Sequence, residues 1–249
     1  MSSPNYNQRK LPISMLVLHY TGMESGEAAR ERLCDPSAEV SAHWLVHEDG
    51  RIESLVDEER RAWHAGVGRW NGVTDINSAS IGVEIVNGGH NVPLEDGSLP
   101  PYPDVQILAV IKLAKEIIAR YNIQSNNIVG HSDIAPDRKE DPGEHFPWAG
   151  LAASGVGYWP GDPSGDTRIL FEPGDRDRGI SIIQRGLADI GYGASVTGCL
   201  DATTEAIIRA IQRRYRPSKI DGIVDMDVME ILKRLGEFTR SSKSVSKSV

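Results

Sequence analysis

An α/β fold with a mixed central sheet flanked by helices, followed by a small C-terminal three-helix domain, is what this sequence predicts. Three observations carry that expectation. Short apolar runs of strand length alternate with helical patterns up to about residue 150. Two of the runs are joined by Asp49-Gly50, a hairpin signal, so the sheet is mixed rather than purely parallel. Beyond a stretch rich in Gly, Pro and Asp, three amphipathic segments follow at helical period.

Taken in order, residues 14–19 form a compact apolar run that ends in His-Tyr-Thr-Gly, a buried strand stopping at a turn. Residues 26–33 read as a short helix. Residues 42–47 and 51–56 are the two hairpin arms, and 81–86 is a further strand, followed by Asn87-Gly88-Gly89. The Gly- and Pro-rich residues 88–103 form a loop. Asp104 is placed to N-cap a long helix in which Ile107, Val110, Ile111, Ala114, Ile117, Ile118 and Tyr121 share one face. Residues 127–130 make a short strand, followed by a polar loop containing Pro136 and Pro142.

The first domain is expected over 1–150, a linker over 151–174, a helical domain over 175–240 and a disordered tail of Ser, Lys and Val over 241–249. The three C-terminal helices place Ile183, Leu187 and Ile190, then Ile207, Ile211 and Tyr215, then Val228, Ile231, Leu232 and Leu235 on their buried faces. A bundle of about 65 residues lies near the lower limit for independent stability.

Of the 249 residues, 39% are hydrophobic and 25% charged, ordinary values for a globular chain with a real core. A formal charge of −8 argues against a nucleic-acid partner, because phosphate binding needs a basic face. It argues in the same way against adhesion to anionic lipid. Cys34 and Cys199 lie far apart and belong to no Cys-x-x-Cys pair, so two buried thiols are expected rather than a disulfide framework. No apolar h-region follows the first ten residues, and no run is long enough to span a membrane. The expected compartment is therefore the cytoplasm; removal of a leader would leave the same sequence and place the protein in the periplasm or cell envelope.

Three candidate metal ligands stand out. His19 ends the first strand, His131 ends another directly after Gly130, and Asp141 follows ten residues later. Strand ends of α/β sheets are where sites are assembled. Two imidazoles and a carboxylate suit Zn²⁺ and leave its fourth position for water, although spacing alone does not separate this set from packed histidines. Glu84 sits in the middle of an apolar strand, where a carboxylate is costly to bury unless it is paired or active. Alternation puts Gly82, Glu84 and Val86 on one face and Val83 and Ile85 on the other. One side is thus open enough to hold the carboxylate over a cavity, as a general base for a zinc-activated water; a structural salt bridge is the alternative. Lys139 would place an ammonium beside the metal and stabilise an oxyanion. His43 reads as a packed strand residue, and His47, His90 and His145 as surface or loop residues. Trp63 and Trp70 read either as sugar-groove lining or as core filler.

Five stretches occur in one order over about residues 14–150: Leu18-His19-Tyr20-Thr21, Ser41-Ala42-His43-Trp44, Arg61-Ala62-Trp63-His64-Ala65-Gly66, Ser80-Ile81-Gly82-Val83-Glu84, and the long block from Gly130-His131-Ser132-Asp133 through Arg138-Lys139-Glu140-Asp141-Pro142-Gly143. With them the chain resembles the type-2 N-acetylmuramoyl-L-alanine amidases, which share their fold with peptidoglycan recognition proteins, and particularly the AmpD/AmiD subgroup. The resemblance implies that His19, His131 and Asp141 hold one zinc ion. It implies that Glu84 activates water and that Lys139 steadies the developing charge. It also places His64 and Arg138 in the substrate groove, where Trp63 is the candidate sugar-lining residue. More loosely, about residues 175–236 resemble a peptidoglycan-binding-like helical domain, through Leu187-Ala188-Asp189-Ile190-Gly191-Tyr192 and Asp221-Gly222 among others.

The expected activity is hydrolysis of the amide between N-acetylmuramic acid and L-alanine in peptidoglycan or muropeptides, the 1,6-anhydro form included, in wall turnover and recycling. A non-catalytic peptidoglycan sensor is the first rival, disfavoured because none of the expected catalytic residues is replaced. A metallo-amidase acting on a non-wall amide is the second. The absence of a visible leader favours soluble fragments as substrate, and the second domain favours polymeric wall.

Overall fold

The computed structural model describes residues 2–245. The apolar run read as the first strand is β2 (Met15–Tyr20), and it lies inside a five-stranded sheet. The other members are β3 (Trp44–Val46), β4 (Ile52–Ser54), β6 (Ser80–Ile85) and β7 (Ile128–Gly130), in the order β4-β3-β6-β2-β7. Only the β3–β4 hairpin is antiparallel; β3–β6, β6–β2 and β2–β7 are parallel, so the sheet is mixed as expected. Gly50 takes the positive φ of +83° that the hairpin turn requires. A separate two-stranded ribbon pairs β1 (Tyr6–Gln8) with β5 (Arg60–Ala62). Sequence reading missed it, because both strands are three residues long and polar.

The remaining elements fall on the two faces of the sheet. Leu16, Leu18, Ile81, Val83 and Ile85 pack against α3 (Asp104–Tyr121) and α5 (Trp148–Ala153). Asp104 is the first residue of α3 rather than its N-cap; Pro103, at φ −59°, stands at the cap position with no side-chain hydrogen bond. The Asp104 carboxylate still favours the helix start through the macrodipole. The fully buried face of α3 is centred on Val110, Leu113, Ala114 and Ile117, with Ile107, Ile111, Ile118 and Tyr121 half-buried at its flanks.

Met15, Val17 and Val129, on the other face, join a core shared with α6 (Arg178–Ile190), α7 (Ala202–Tyr215) and α8 (Met226–Val245). The expected apolar positions of these three helices are all buried. Asp177 and Asp201 cap α6 and α7 by accepting the N–H of Gly179 and Thr204. Residues 151–174 include part of α5 and the short strand β8 (Ile169–Phe171), which pairs with β9 (Val224–Asp225).

Three expectations are corrected. Helix α8 runs to Val245, into the tail expected to be disordered from Ser241; a helix anchored by Val228, Ile231 and Leu235 extends at small cost per residue. Residues 246–249 of that tail lie outside the described residues. His47, expected at the surface, is buried against Glu53, 3.3 Å from its carboxylate. Cys34 and Cys199 are half-buried rather than buried, and no disulfide forms among the described residues. Among the described residues no helix is long and apolar enough to cross a membrane.

Candidate metal centre and active site

Strands β2 and β7 run parallel with Leu18 opposite Gly130, so His19 and His131 leave the sheet side by side. His131 begins the single-turn helix α4 (His131–Ile134). The polar loop after α4 returns Asp141 to them. The Ser132 N–H donates to the Asp141 carbonyl at 2.9 Å, and the Tyr102 hydroxyl donates to the Pro142 carbonyl at 2.8 Å. All three candidate ligands are buried. His19 Nδ1 lies 3.0 Å from His131 Nδ1 and 2.9 Å from Asp141 Oδ2, and His131 Nδ1 lies 3.1 Å from the same oxygen.

That donor set fits a zinc ion. The separations approach the edges of a tetrahedron whose ligand distances are about 2 Å. Burial, and after it the neighbouring His131, push the His19 pKa down to about 4, so the ring is neutral at neutral pH. The His131 Nε2–H donates to the Ala65 carbonyl at 2.9 Å, which leaves its Nδ1 lone pair facing the cluster. Lone pairs converging on one buried point are what a cation would relieve.

Glu84 stands opposite His19 in the parallel register of β2 and β6. Its Oε2 is buried without a hydrogen-bond partner. None of the ion pairs among the described residues includes it, so the salt-bridge alternative finds no support. Burial, reinforced by the Asp141 charge and opposed by Lys139, pushes its pKa well above the usual carboxylate range. A cavity of about 280 Å³ is lined by His19, Trp63, Glu84, Lys139 and Asp141, among others. Trp63 Nε1 is likewise buried there without a partner. The cavity thus holds one orphaned acceptor and one orphaned donor, which is unusual for buried polar atoms. Trp70 instead packs edge-on against Tyr192 in the shared core, with ring centroids 4.9 Å apart.

The remaining two predicted site residues behave differently. His64 lines the cavity, but both its ring nitrogens face protein partners: Nδ1 is 3.0 Å from His19 Nε2 and Nε2 is 3.1 Å from Ser80 Oγ. Arg138 is exposed, and its Nε and Nη2 edges hold the carbonyls of Val67 and Ala65.

Residues 9–144, more than half of the chain, match the family described as "N-acetylmuramoyl-L-alanine amidase". The chain belongs to the N-acetylmuramoyl-L-alanine amidase family. Residues 176–232 match a second family, described as "Putative peptidoglycan binding domain". Among curated relatives, the N-acetylmuramoyl-L-alanine amidase AmiD of Escherichia coli is 36% identical over 90% of this chain and 83% of its own. The 1,6-anhydro-N-acetylmuramyl-L-alanine amidase AmpD of Citrobacter freundii is 36% identical over 61% of this chain and 86% of its own. The structure of E. coli AmiD in complex with the substrate anhydro-N-acetylmuramic acid-L-Ala-D-gamma-Glu-L-Lys superposes with a TM-score of 0.77 at 34% identity, covering 91% of this chain and 89% of that one. AmpDh3 of Pseudomonas aeruginosa gives 0.75 at 33% identity, covering 96% and 95%.

Sequence reading of this amidase missed two residues that shape the site. Asn77 and Ser80 lie buried below it, in Asp75-Ile76-Asn77-Ser78-Ala79-Ser80. Their one sequence signal is a run of small polar residues leading directly into an apolar strand.

Proposed function

We infer that this amidase uses zinc to hydrolyse the amide bond between N-acetylmuramic acid and L-alanine in muropeptides, the 1,6-anhydro form included. The observation that carries the reading is the convergence of His19, His131 and Asp141 beside the unpaired carboxylate of Glu84. His19, His131 and Asp141 would hold the ion, which would supply Lewis acidity to lower the pKa of water and polarise a carbonyl. Glu84 takes a proton from the attacking water and delivers it to the departing nitrogen of L-alanine. The Lys139 ammonium offsets negative charge developing on the carbonyl oxygen. Trp63 offers its ring face and Nε1–H to the substrate, and Arg138 its positive charge to a stem-peptide carboxylate. On this reading residues 1–150 are the catalytic domain, 151–174 the connection and 175–240 the peptidoglycan-binding-like domain.

The test is mass spectrometry of products from zinc-loaded protein incubated with anhydromuropeptides and, separately, with intact sacculi. Release of stem peptide beginning at L-alanine is the expected result. The faster substrate chooses between fragment recycling in the cytoplasm and wall turnover in the envelope. No release from either, with zinc bound and the fold intact, would favour the sensor.

A further inference from the structure

The two candidate histidine ligands must both offer Nδ1 to one ion, so both must carry their proton on Nε2. A chain of hydrogen bonds dictates this for His19. The Ser80 hydroxyl donates to the Ile76 carbonyl at 2.7 Å, so its oxygen accepts from His64 Nε2–H at 3.1 Å. His64 Nδ1 is then an acceptor, and His19 Nε2, 3.0 Å away, must donate to it. For His131 the acceptor is the carbonyl of the very next residue, Ala65, at 2.9 Å. The backbone of this dipeptide is fixed by one buried side chain: Asn77 Oδ1 accepts the N–H of His64 at 3.0 Å and that of Ala65 at 2.8 Å. The His64 ring reaches its place only because residue 82 has no side chain. A Cβ on Gly82 would lie 2.4 Å from His64 Cγ.

We propose that His64-Ala65, clamped by Asn77, is the positioning element of the metal centre, fixing both imidazoles as Nε2–H tautomers with their Nδ1 lone pairs aimed at one point. His64 is thus a positioning residue acting through His19, and the dipeptide carries out for two ligands what a carboxylate or carbonyl does for one in other zinc sites. The element is preformed, since every acceptor in it is a protein atom held in the fold.

The inference rests on the zinc-amidase reading, and its first test is independent of activity. Long-range ¹H–¹⁵N correlation spectra of the zinc-loaded full-length protein report which nitrogen of each ring keeps its proton. Nε2–H in both His19 and His131 is expected; an Nδ1–H tautomer in either ring overturns the proposal. The second test is zinc affinity by competition with a chromophoric chelator. His64→Phe, which fills the space without an acceptor, is expected to bind about 10–100-fold more weakly. His64→Gln, which keeps an acceptor, is expected to recover most of the loss. Zinc binding by His64→Phe within about twofold of the parent would overturn the proposal. Should His64→Phe fail to fold, the wild-type spectra still decide. A protein with the expected tautomers and tight zinc binding that cleaves no muropeptide would sink the functional reading and leave the positioning element standing.

Discussion

Asp133 and Arg214 form a buried ion pair between the two halves of the chain, with Arg214 Nη1 2.5 Å from Asp133 Oδ2. Asp133 also accepts the Tyr192 hydroxyl at 2.7 Å and the Gly130 N–H at 2.8 Å. Arg214 gives a further N–H to the Ile128 carbonyl and lies 3.9 Å over the Trp148 ring. The helical segment therefore grips the strand-to-helix turn that carries His131. Arg214→Met should lower unfolding stability by about 3–5 kcal/mol, because it leaves a buried carboxylate without its cation. Urea denaturation of the full chain measures this; a loss below about 1 kcal/mol would show that Tyr192 and Gly130 suffice to satisfy Asp133.

Glu84→Gln keeps the shape of the side chain and removes its basicity. Zinc content should stay at the parental level while kcat/KM on an anhydromuropeptide falls by about 10²–10⁴. Parental turnover in this variant would remove Glu84 from the proton transfers.

Asp141→Ala takes away the only carboxylate among the three candidate ligands. The purified variant should lose bound zinc by atomic absorption, and chelation of the parent should abolish cleavage reversibly. Full zinc occupancy in the variant would mean that another group supplies the third ligand.

His90 and Glu144 give a pH-dependent clasp between two loops, with Nε2 3.2 Å from the carboxylate. The hydrogen bond to Glu144 raises the His90 pKa above its usual 6.5 despite partial burial. The same bond lowers Glu144 to about 2. The histidine contribution is complete below pH 6.5 and is lost as pH rises through the raised value. The carboxylate contribution is complete above 4.5 and is lost as pH falls towards 2. The pair therefore stabilises most between about pH 4.5 and 6.5. Relative to His90→Gln, the parent should lose stability as pH rises above 6.5 in thermal melts; parallel curves would argue that the clasp does not form.

His19, His131 and Glu84 drew attention because each breaks a local rule, a histidine at a strand end or a charge inside an apolar strand, whereas Asp141 lies in a polar loop that carries no such signal. The hairpin announced itself through Asp49-Gly50. The burial of His47 and the positioning element around His64 were not legible. Each depends on which distant residue faces the ring, and no pattern along the chain encodes that. Helical periodicity likewise marked the apolar faces of α6, α7 and α8 but not what they cover. Three amphipathic helices look the same whether they close on themselves or on a sheet.

Here they close on the sheet, through the core that Met15, Val17 and Val129 share with Leu187, Ile211 and Ile231. Cutting the chain near residue 150 would bare that face to solvent, and an exposed apolar patch of this kind drives self-association. Any shorter descendant of this gene would have to repaint the face with polar side chains before it could dispense with the helices. The C-terminal segment thus covers an apolar face of the catalytic sheet that would otherwise meet solvent.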